Sequence, residues 1–346
     1  MPWWANNEHM KATTIPLPTP AFSLGIDVGK ADLFCHLIGP DQASSNQFDN
    51  TPLGIILLIK WLETITSPKD LHACLERTGH YGMPVSKALN ALGLSALFLV
   101  NPRQIKAFGE QKLRRNKSDT ADARLIAQFL KSEHQDLKPW SPQSPENEQI
   151  KELSRYADSI TQDSARLKTK CESSTLPAIL RSLRRRIKTQ EKELADIRAR
   201  IKKLILSNER LQTKFDLLMS VPSLGEITCQ ILLAELPEIE LFSDARQLAA
   251  WAGVTPRHFV SGTSGRSRTP ITKIGSAPLR RALFLPAMNA RVFNPLLKTF
   301  ADRLIANGKP PKQVIIAVMR KLLHQIYGIL KSGTPFNPEK RGFQHA

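Results

Sequence analysis

Four carboxylates stand where they could act together. Asp27 follows the apolar alternation Phe22, Leu24, Ile26; Glu76 closes the run 71–75; Asp119 and Asp122 lie three apart at the head of a helical pattern. A spacing of three puts two side chains on one helix face. Strand ends and a helix edge can converge in an α/β sheet. Carboxylates gathered there repel one another unless divalent cations neutralise them. Hard oxygen ligands suit Mg²⁺ or Mn²⁺. Two such ions ~4 Å apart hold the attacking and leaving oxygens of an in-line phosphoryl displacement. Taken singly the acids have plainer roles: Ser118 or Asp119 makes a good N-cap for the following helix.

The basic residues near these acids point to the substrate. Arg103, Lys106, Lys112, Arg114, Arg115 and Lys117 precede Asp119 and read as a basic loop, which suits a phosphodiester backbone. Residues 245–301 contain no Asp or Glu but carry Arg246, Arg257, Arg266, Arg268, Lys273, Arg280, Arg281, Arg291 and Lys298. An acid-free stretch of this kind is a footprint for nucleic acid, since a merely solvated face intersperses acids. Within it Ser261 and Ser264 are each followed by glycine, which lets a backbone approach a phosphate closely. Read alone, Ser261 is a loop serine. No His/Asp pair accompanies it in the sequence, which argues against protease chemistry.

The whole chain agrees with a polyanionic partner. It has 346 residues and 49 Lys+Arg against 31 Asp+Glu, a net charge of +18. Its longest apolar runs, 55–59 and 96–100, have strand length, whereas a membrane span needs ~20 residues. The expectation is therefore no membrane partner. The first 20 residues lack a basic-then-apolar signal pattern. The four cysteines form no C-x-x-C pair, so the expected compartment is the reducing cytoplasm, with neither a zinc knuckle nor a disulfide framework. No Walker phosphate loop occurs.

Strands over 21–38, 71–75 and 95–100 alternate with helices over 53–65, 83–92 and 120–131, which predicts an α/β sheet with some parallel pairing. Prolines 139, 142 and 145 mark a linker. Then Leu180, Leu183, Ile187, Gln190, Leu194, Ile197, Ile201, Leu204, Asn208, Leu211 and Phe215 recur at steps of three and four. This is an a/d seam of five heptads, with Asn208 at a and Gln190 at d. It predicts one helix over 177–215, ~58 Å long, as a coiled-coil arm pairing between chains. An internal hairpin with residues 150–171 is the alternative. Val221-Pro222-Ser223-Leu224-Gly225 reads as a tight turn or a helix-hairpin-helix phosphate turn.

The strings Gly25-Ile26-Asp27-Val28-Gly29-Lys30, Leu75-Glu76-Arg77-Thr78-Gly79-His80-Tyr81, Asn101-Pro102-Arg103-Gln104 and Lys117-Ser118-Asp119-Thr120-Ala121-Asp122-Ala123 occur in order. Together they resemble the N-terminal domain of the DEDD recombinases of one class of insertion sequences. That family includes Piv-type DNA invertases and bridge-RNA-guided transposases. Trp251-Ala252-Gly253-Val254-Thr255-Pro256, Ser261-Gly262, Lys273-Ile274-Gly275 and Leu279-Arg280-Arg281-Ala282-Leu283 resemble its C-terminal transposase domain. Ser118 stands where Thr is common, and Ser276 where Asn or His is frequent.

The resemblance implies an α/β plus α protein. A RuvC-like, ribonuclease-H-type catalytic domain (21–135) would follow a disordered arm (1–20). A linker (136–147), a helical coiled-coil region (148–215), a mainly helical transposase domain (216–335) and a tail (336–346) complete it. It further implies that Asp27, Glu76, Asp119 and Asp122 bind Mg²⁺ or Mn²⁺ and that Ser261 is the nucleophile, with Ser264 the fallback. Arg103, Lys106, Arg114, Arg115, Lys117, Arg257, Arg266, Arg268, Lys273, Arg280 and Arg281 would hold nucleic acid. The implied partners are donor and target DNA, a structured guide RNA, and further copies of the chain, as dimers assembling to a tetramer. Four other readings stay open: a protein-only invertase, a RuvC-like nuclease using water, a non-catalytic scaffold, and an actin-like kinase suggested by Asp27-Val28-Gly29.

Overall fold

The computed structural model describes residues 19–77, 79, 81–112, 118–256, 271–272 and 274–339. The chain divides into two compact units between Gln143 and Ser144.

In the first unit, strands β1 (Phe22–Val28), β2 (Asp32–Ile38) and β3 (Ala43–Asp49) precede helix α1 (Pro52–Glu63). Then come β4 (Leu71–Glu76), α2 (Met83–Ala91), β5 (Ala96–Val100), α3 (Pro102–Gln111) and α4 (Asp119–Glu133). The sheet order is β3-β2-β1-β4-β5. β2 pairs antiparallel with both β1 and β3, while β1, β4 and β5 run parallel. This mixed order is the ribonuclease-H-type arrangement implied by the resemblance.

Alternation along the strands separates two cores. Leu24, Ile26, Leu33, Leu75 and Leu97 pack with Ile55, Leu58 and Leu62 of α1 and Val85 and Leu89 of α2. Cys74, Phe98 and Val100 pack on the other face with Ile105 and Phe108 of α3 and Leu125, Ile126, Phe129 and Leu130 of α4. Helices therefore cover both faces.

Two elements depart from the sequence expectations. β3 has the polar sequence ASSNQFD and no clean apolar alternation; its pairing with β2 at the sheet edge makes it a strand. The basic loop before Asp119 begins as α3 instead. Asn101 and Gln104 form a reciprocal capping box, Pro102 occupies the first turn, and Ile105 and Phe108 are buried. Arg103 and Lys106 thus stand on a helix.

The second unit is helical: α5 (Pro145–Ser173), α6 (Pro177–Leu206), α7 (Glu209–Met219), α8 (Glu226–Glu235), α9 (Ala245–Ala252), α10 (Ala277–Phe293), α11 (Pro295–Ala306) and α12 (Pro311–Ser332). Its largest buried cluster draws on all eight.

Within the chain the heptad seam has an internal partner, the hairpin alternative named above. α5 and α6 pack as an antiparallel hairpin, burying Ala157, Ile160 and Leu167 of one and Leu183, Ile197 and Ile201 of the other. Ser164 Oγ donates to Gln190 Oε1 at 2.7 Å, and Tyr156 OH donates to Glu193 Oε1 at 2.6 Å. Gln190, one of two polar residues in the seam, thereby finds its partner inside the chain, where it fixes the hairpin register. The seam also stops early. Asn208 Oδ1 accepts from the Leu211 N–H at 3.1 Å and N-caps α7, so the helix breaks at Ser207. The 30 residues of α6 span about 45 Å, shorter than the expected arm. No described helix is long and apolar enough to cross a membrane.

Candidate metal centre and serine-bearing segment

Gly25 sets up the acid cluster. A Cβ there would overlap the Ala123 carbonyl oxygen and the Ala127 nitrogen, so α4 lies directly on β1. Asp27 is two residues further along the same strand face and so points toward the start of α4. There the Ser118 hydroxyl accepts from the Ala121 N–H at 3.3 Å, which fixes the first turn containing Asp119 and Asp122. The helix N-terminus favours negative charge at both positions. On β4, Glu76 lies one step beyond the Ile26–Leu75 register pair, beside Asp27, on the face of Cys74 that packs against α3 and α4.

Carboxylate oxygens of Asp27, Asp119 and Asp122 lie within 4.8 Å of one another. Asp27 and Asp122 are half-buried and Asp119 is exposed. Glu76 stands outside that tight group but feels it. Burial first, then the charges of Asp27 and Asp122, push its carboxyl above the usual range. The neighbouring Cys74 thiol is likewise pushed up, chiefly by burial and also by Glu76. Closely spaced anionic oxygens that disfavour one another's charge are a donor set that fits a hard divalent cation.

The loop after Glu76 is tethered to the sheet. The Arg77 N–H donates to the Val100 carbonyl at 2.8 Å. Asn50 Nδ2 donates to the carbonyls of Gly29 at 2.9 Å and Tyr81 at 3.2 Å, joining the β1–β2 turn to this loop.

Ser261 and Ser264 lie outside the described residues, as do Arg114, Arg115, Lys117, Arg257, Arg266, Arg268 and Lys273. The chain on either side of 257–270 comes together. Pro256 and Ile271 form an antiparallel bridge, and the Thr272 N–H donates to the Thr255 carbonyl at 2.9 Å. Both ends of the segment therefore start from one point. Gly253, at φ +74°, ends α9, and Gly275 packs on the Trp251 carbonyl, where any Cβ would overlap it. These glycines let the two motif strings around Ser261 close on each other.

The remaining basic candidates divide by role. Arg103 and Lys106 are exposed on α3, where Lys106 makes a loose pair with Glu110 at 3.9 Å. Arg280 turns inward to donate to the Ala252 carbonyl at 3.0 Å. Arg281 pairs with Asp158 of α5. Both arginines, expected to hold nucleic acid, thus also have a partner within the helical unit. Sequence reasoning missed Glu235, only 4% exposed, which accepts from Arg155 Nε and from Ser276 Oγ, each at 2.9 Å. Ser276 in turn caps α10 by accepting from the Leu279 N–H at 3.2 Å. An acid at the end of an apolar helix was the available signal. The Val221–Gly225 string is a tight turn between α7 and α8, with Ser223 at φ +84°.

A DEDD-type transposase model matches residues 24–180, and a model described as "Transposase IS116/IS110/IS902 family" matches residues 215–302. The pilin gene-inverting protein of Moraxella lacunata is 28% identical over 91% of this chain and 97% of its own length. The transposase of insertion sequence element IS1328 from Yersinia enterocolitica is 23% identical over 91% of this chain and 98% of its own. Among solved structures, T. thermophilus RuvC in complex with a Holliday junction substrate aligns over 34% of this chain and 99% of its own, with 17% identity and a TM-score of 0.25.

By its strand order the first unit is a ribonuclease-H-type domain, here carrying clustered acids, and a helical unit follows. The chain belongs to the IS110-type family of insertion-sequence transposases and DNA invertases.

Proposed function

We propose that this chain is a site-specific DNA recombinase of an insertion sequence, cutting and rejoining strands through a covalent phosphoserine. The observation that carries the reading is the convergence of Asp27, Asp119 and Asp122 beside Glu76. These four residues would hold Mg²⁺ or Mn²⁺. When bound, the cation offsets their repulsion and supplies positive charge to a phosphodiester.

The chain's own residues supply the rest. Ser261 Oγ attacks the phosphorus, the Oγ–P bond forms, the P–O3′ bond breaks, and the serine proton passes to a base. A 3′ hydroxyl of the partner strand then attacks the phosphoserine, forming a new P–O3′ bond and releasing Ser261. One phosphoester replaces another throughout, so no nucleotide hydrolysis is required. The exposed cations Arg103 and Lys106, with Arg114, Arg115, Lys117, Arg257, Arg266, Arg268 and Lys273, hold backbone phosphates. The acids and Ser261 stand on separate units of the chain, which suits a site assembled from more than one copy. A structured guide RNA would supply sequence recognition, and the work takes place in the cytoplasm on donor and target DNA.

The test is covalent capture. Wild-type protein incubated with labelled cognate DNA and Mg²⁺ should give a protein–DNA adduct that survives denaturation, and Ser261→Ala should give none. Cleavage that persists in Ser261→Ala would instead identify water as the attacking group.

A second reading is a protein-only invertase, favoured by the match to pilin gene-inverting proteins along almost their whole length. Purifying the protein expressed with its native flanking DNA and sequencing the bound RNA separates the two. A discrete RNA from one flank supports guidance; bulk cellular RNA supports the invertase.

A further inference from the structure

The second unit contains a cavity of about 480 Å³ lined by Asp244, Ala245, Arg246, Phe300, Ala317, Arg320, Lys321 and His324. Its volume falls within the ~300–1,000 Å³ of small-ligand pockets. Its floor is built by α12, whose Val318, Leu322 and Ile326 enter the core while Ala317, Arg320, Lys321 and His324 face the cavity. The first turn of α9 and Phe300 of α11 complete the wall.

Positive charge is in excess there. Arg246, Arg320 and Lys321 meet one carboxylate, Asp244, which already caps α9 by accepting from the Gln247 N–H at 2.8 Å. No described carboxylate lies within ion-pair distance of Arg246 or Arg320. The Phe300 ring carries the Lys321 ammonium at 5.6 Å and the Arg303 guanidinium at 5.5 Å from its centroid. Such cation–π contacts hold the two charges in place.

His324 records the crowding. Its Nε2 is buried with no hydrogen-bond partner among the described residues. Burial, then Lys321, Arg320 and Arg246, lower its pKa to about 4 against the opposing effect of Asp244. Lys321 is lowered by burial, Arg320 and Arg303. An anion entering the cavity would offset the charge of Arg246 and Arg320 and give the imidazole a partner. Arginine forks match phosphate oxygens. The apolar wall of Ala245, Phe300 and Ala317 leaves room for a flat, uncharged group beside the phosphate.

We infer that this cavity is a nucleotide-binding site, taking the phosphate of an unpaired nucleotide on Arg246, Arg320 and Lys321 and its base along the apolar wall formed by Ala245, Ala317 and the edge of Phe300. The inference extends the reading of this chain as a nucleic-acid enzyme to a single-strand site distinct from the acid cluster. A nucleotide unit of an unpaired strand is the occupant the recombinase reading favours. A free nucleotide has the same chemistry.

The experiment measures binding of fluorescein-labelled oligo(dT) and oligo(U) of twelve nucleotides to the full chain by anisotropy, across a salt series. Wild type is compared with the double variant Arg320→Gln/Lys321→Gln and with Phe300→Leu, each checked for an unchanged melting temperature. Loss of two of the three cations on that phosphate should weaken binding by about tenfold or more and lower the slope of log K against log salt by up to about 0.7. Phe300→Leu should weaken binding with the slope unchanged. Affinities for a duplex should stay the same. Binding of dAMP that is lost in the double variant, without any effect on oligonucleotides, would assign the site to free nucleotides. Unchanged affinities and slopes in both variants would overturn the inference. Wild type that binds duplex but no single strand would also overturn it and leave the recombinase reading intact. Wild type that binds no nucleic acid would remove the recombinase reading itself.

Discussion

Glu76 and Glu235 each close a regular element and are drawn partly out of water, yet their surroundings treat them in opposite ways. Glu235 accepts hydrogen bonds from Arg155 and Ser276, joining α5, α8 and the cap of α10. Its charge is answered within the chain, so it works as a structural joint. Asp27 and Asp122 are among the charged neighbours of Glu76, and its carboxyl is pushed up by burial and by both of them. A charge answered by neighbours marks architecture, and a charge aggravated by neighbours marks a place prepared for a ligand.

The contrast can be tested at both ends. The largest effect should come from the acid cluster. Asp119→Asn is expected to lower DNA cleavage by more than ~100-fold. Nucleic-acid affinity should stay equal or rise, because one repelling charge is gone. A normal cleavage rate would remove Asp119 from the metal centre.

Acid should separate buried histidine from buried carboxylate. His72 is fully buried, and burial followed by His134 lowers its pKa to about 4. The folded value lies below the unfolded ~6.5. The stability it contributes is therefore present above pH ~6.5 and is lost as pH falls toward 4, by about 3 kcal/mol. Glu76 has the opposite sign, since its repulsion is relieved as pH falls. His72→Phe should accordingly flatten the fall in melting temperature between pH 6.5 and 4. An unchanged pH profile would show that another group drives acid unfolding.

Glu235→Ala should destabilise the helical unit by about 1–3 kcal/mol, the cost of losing two buried hydrogen bonds, as read by denaturant melts. Glu76→Gln in metal-free protein should do the reverse, raising the melting temperature by a few degrees. Added Mg²⁺ should then raise the wild-type melting temperature more than that of the variant. A stabilising Glu235→Ala or a destabilising Glu76→Gln would break the distinction.

Much of the first unit was legible because its signals are local. Apolar alternation marked β1 and β2, a short apolar run marked β4, and Ser118 with Asp119 and Asp122 marked the start of α4. β3 was hidden because edge pairing, not composition, makes it a strand. α3 was hidden because its basic residues drew attention away from the Asn101–Gln104 cap. In the second unit the heptads correctly predicted a long helix. They could not say which face would cover it, because a seam looks the same whether its partner is α5 or another chain. Asn208 is also ambiguous in sequence: the side chain that would tune a seam at an a position is the one that caps a new helix. The acids themselves were legible as candidates; what the sequence did not show is that Gly25 admits α4 against β1 and so brings Asp119 and Asp122 to Asp27.

That contact has a genetic consequence. A single methyl at position 25 would push α4 away from the strand and pull Asp119 and Asp122 from Asp27, while leaving every carboxylate in the gene. Mobile elements accumulate decayed copies, and a census that scores activity by intact acidic residues would count such a Gly25→Ala copy as live. The first glycine of Gly-Ile-Asp belongs in that score beside the acids it brings together.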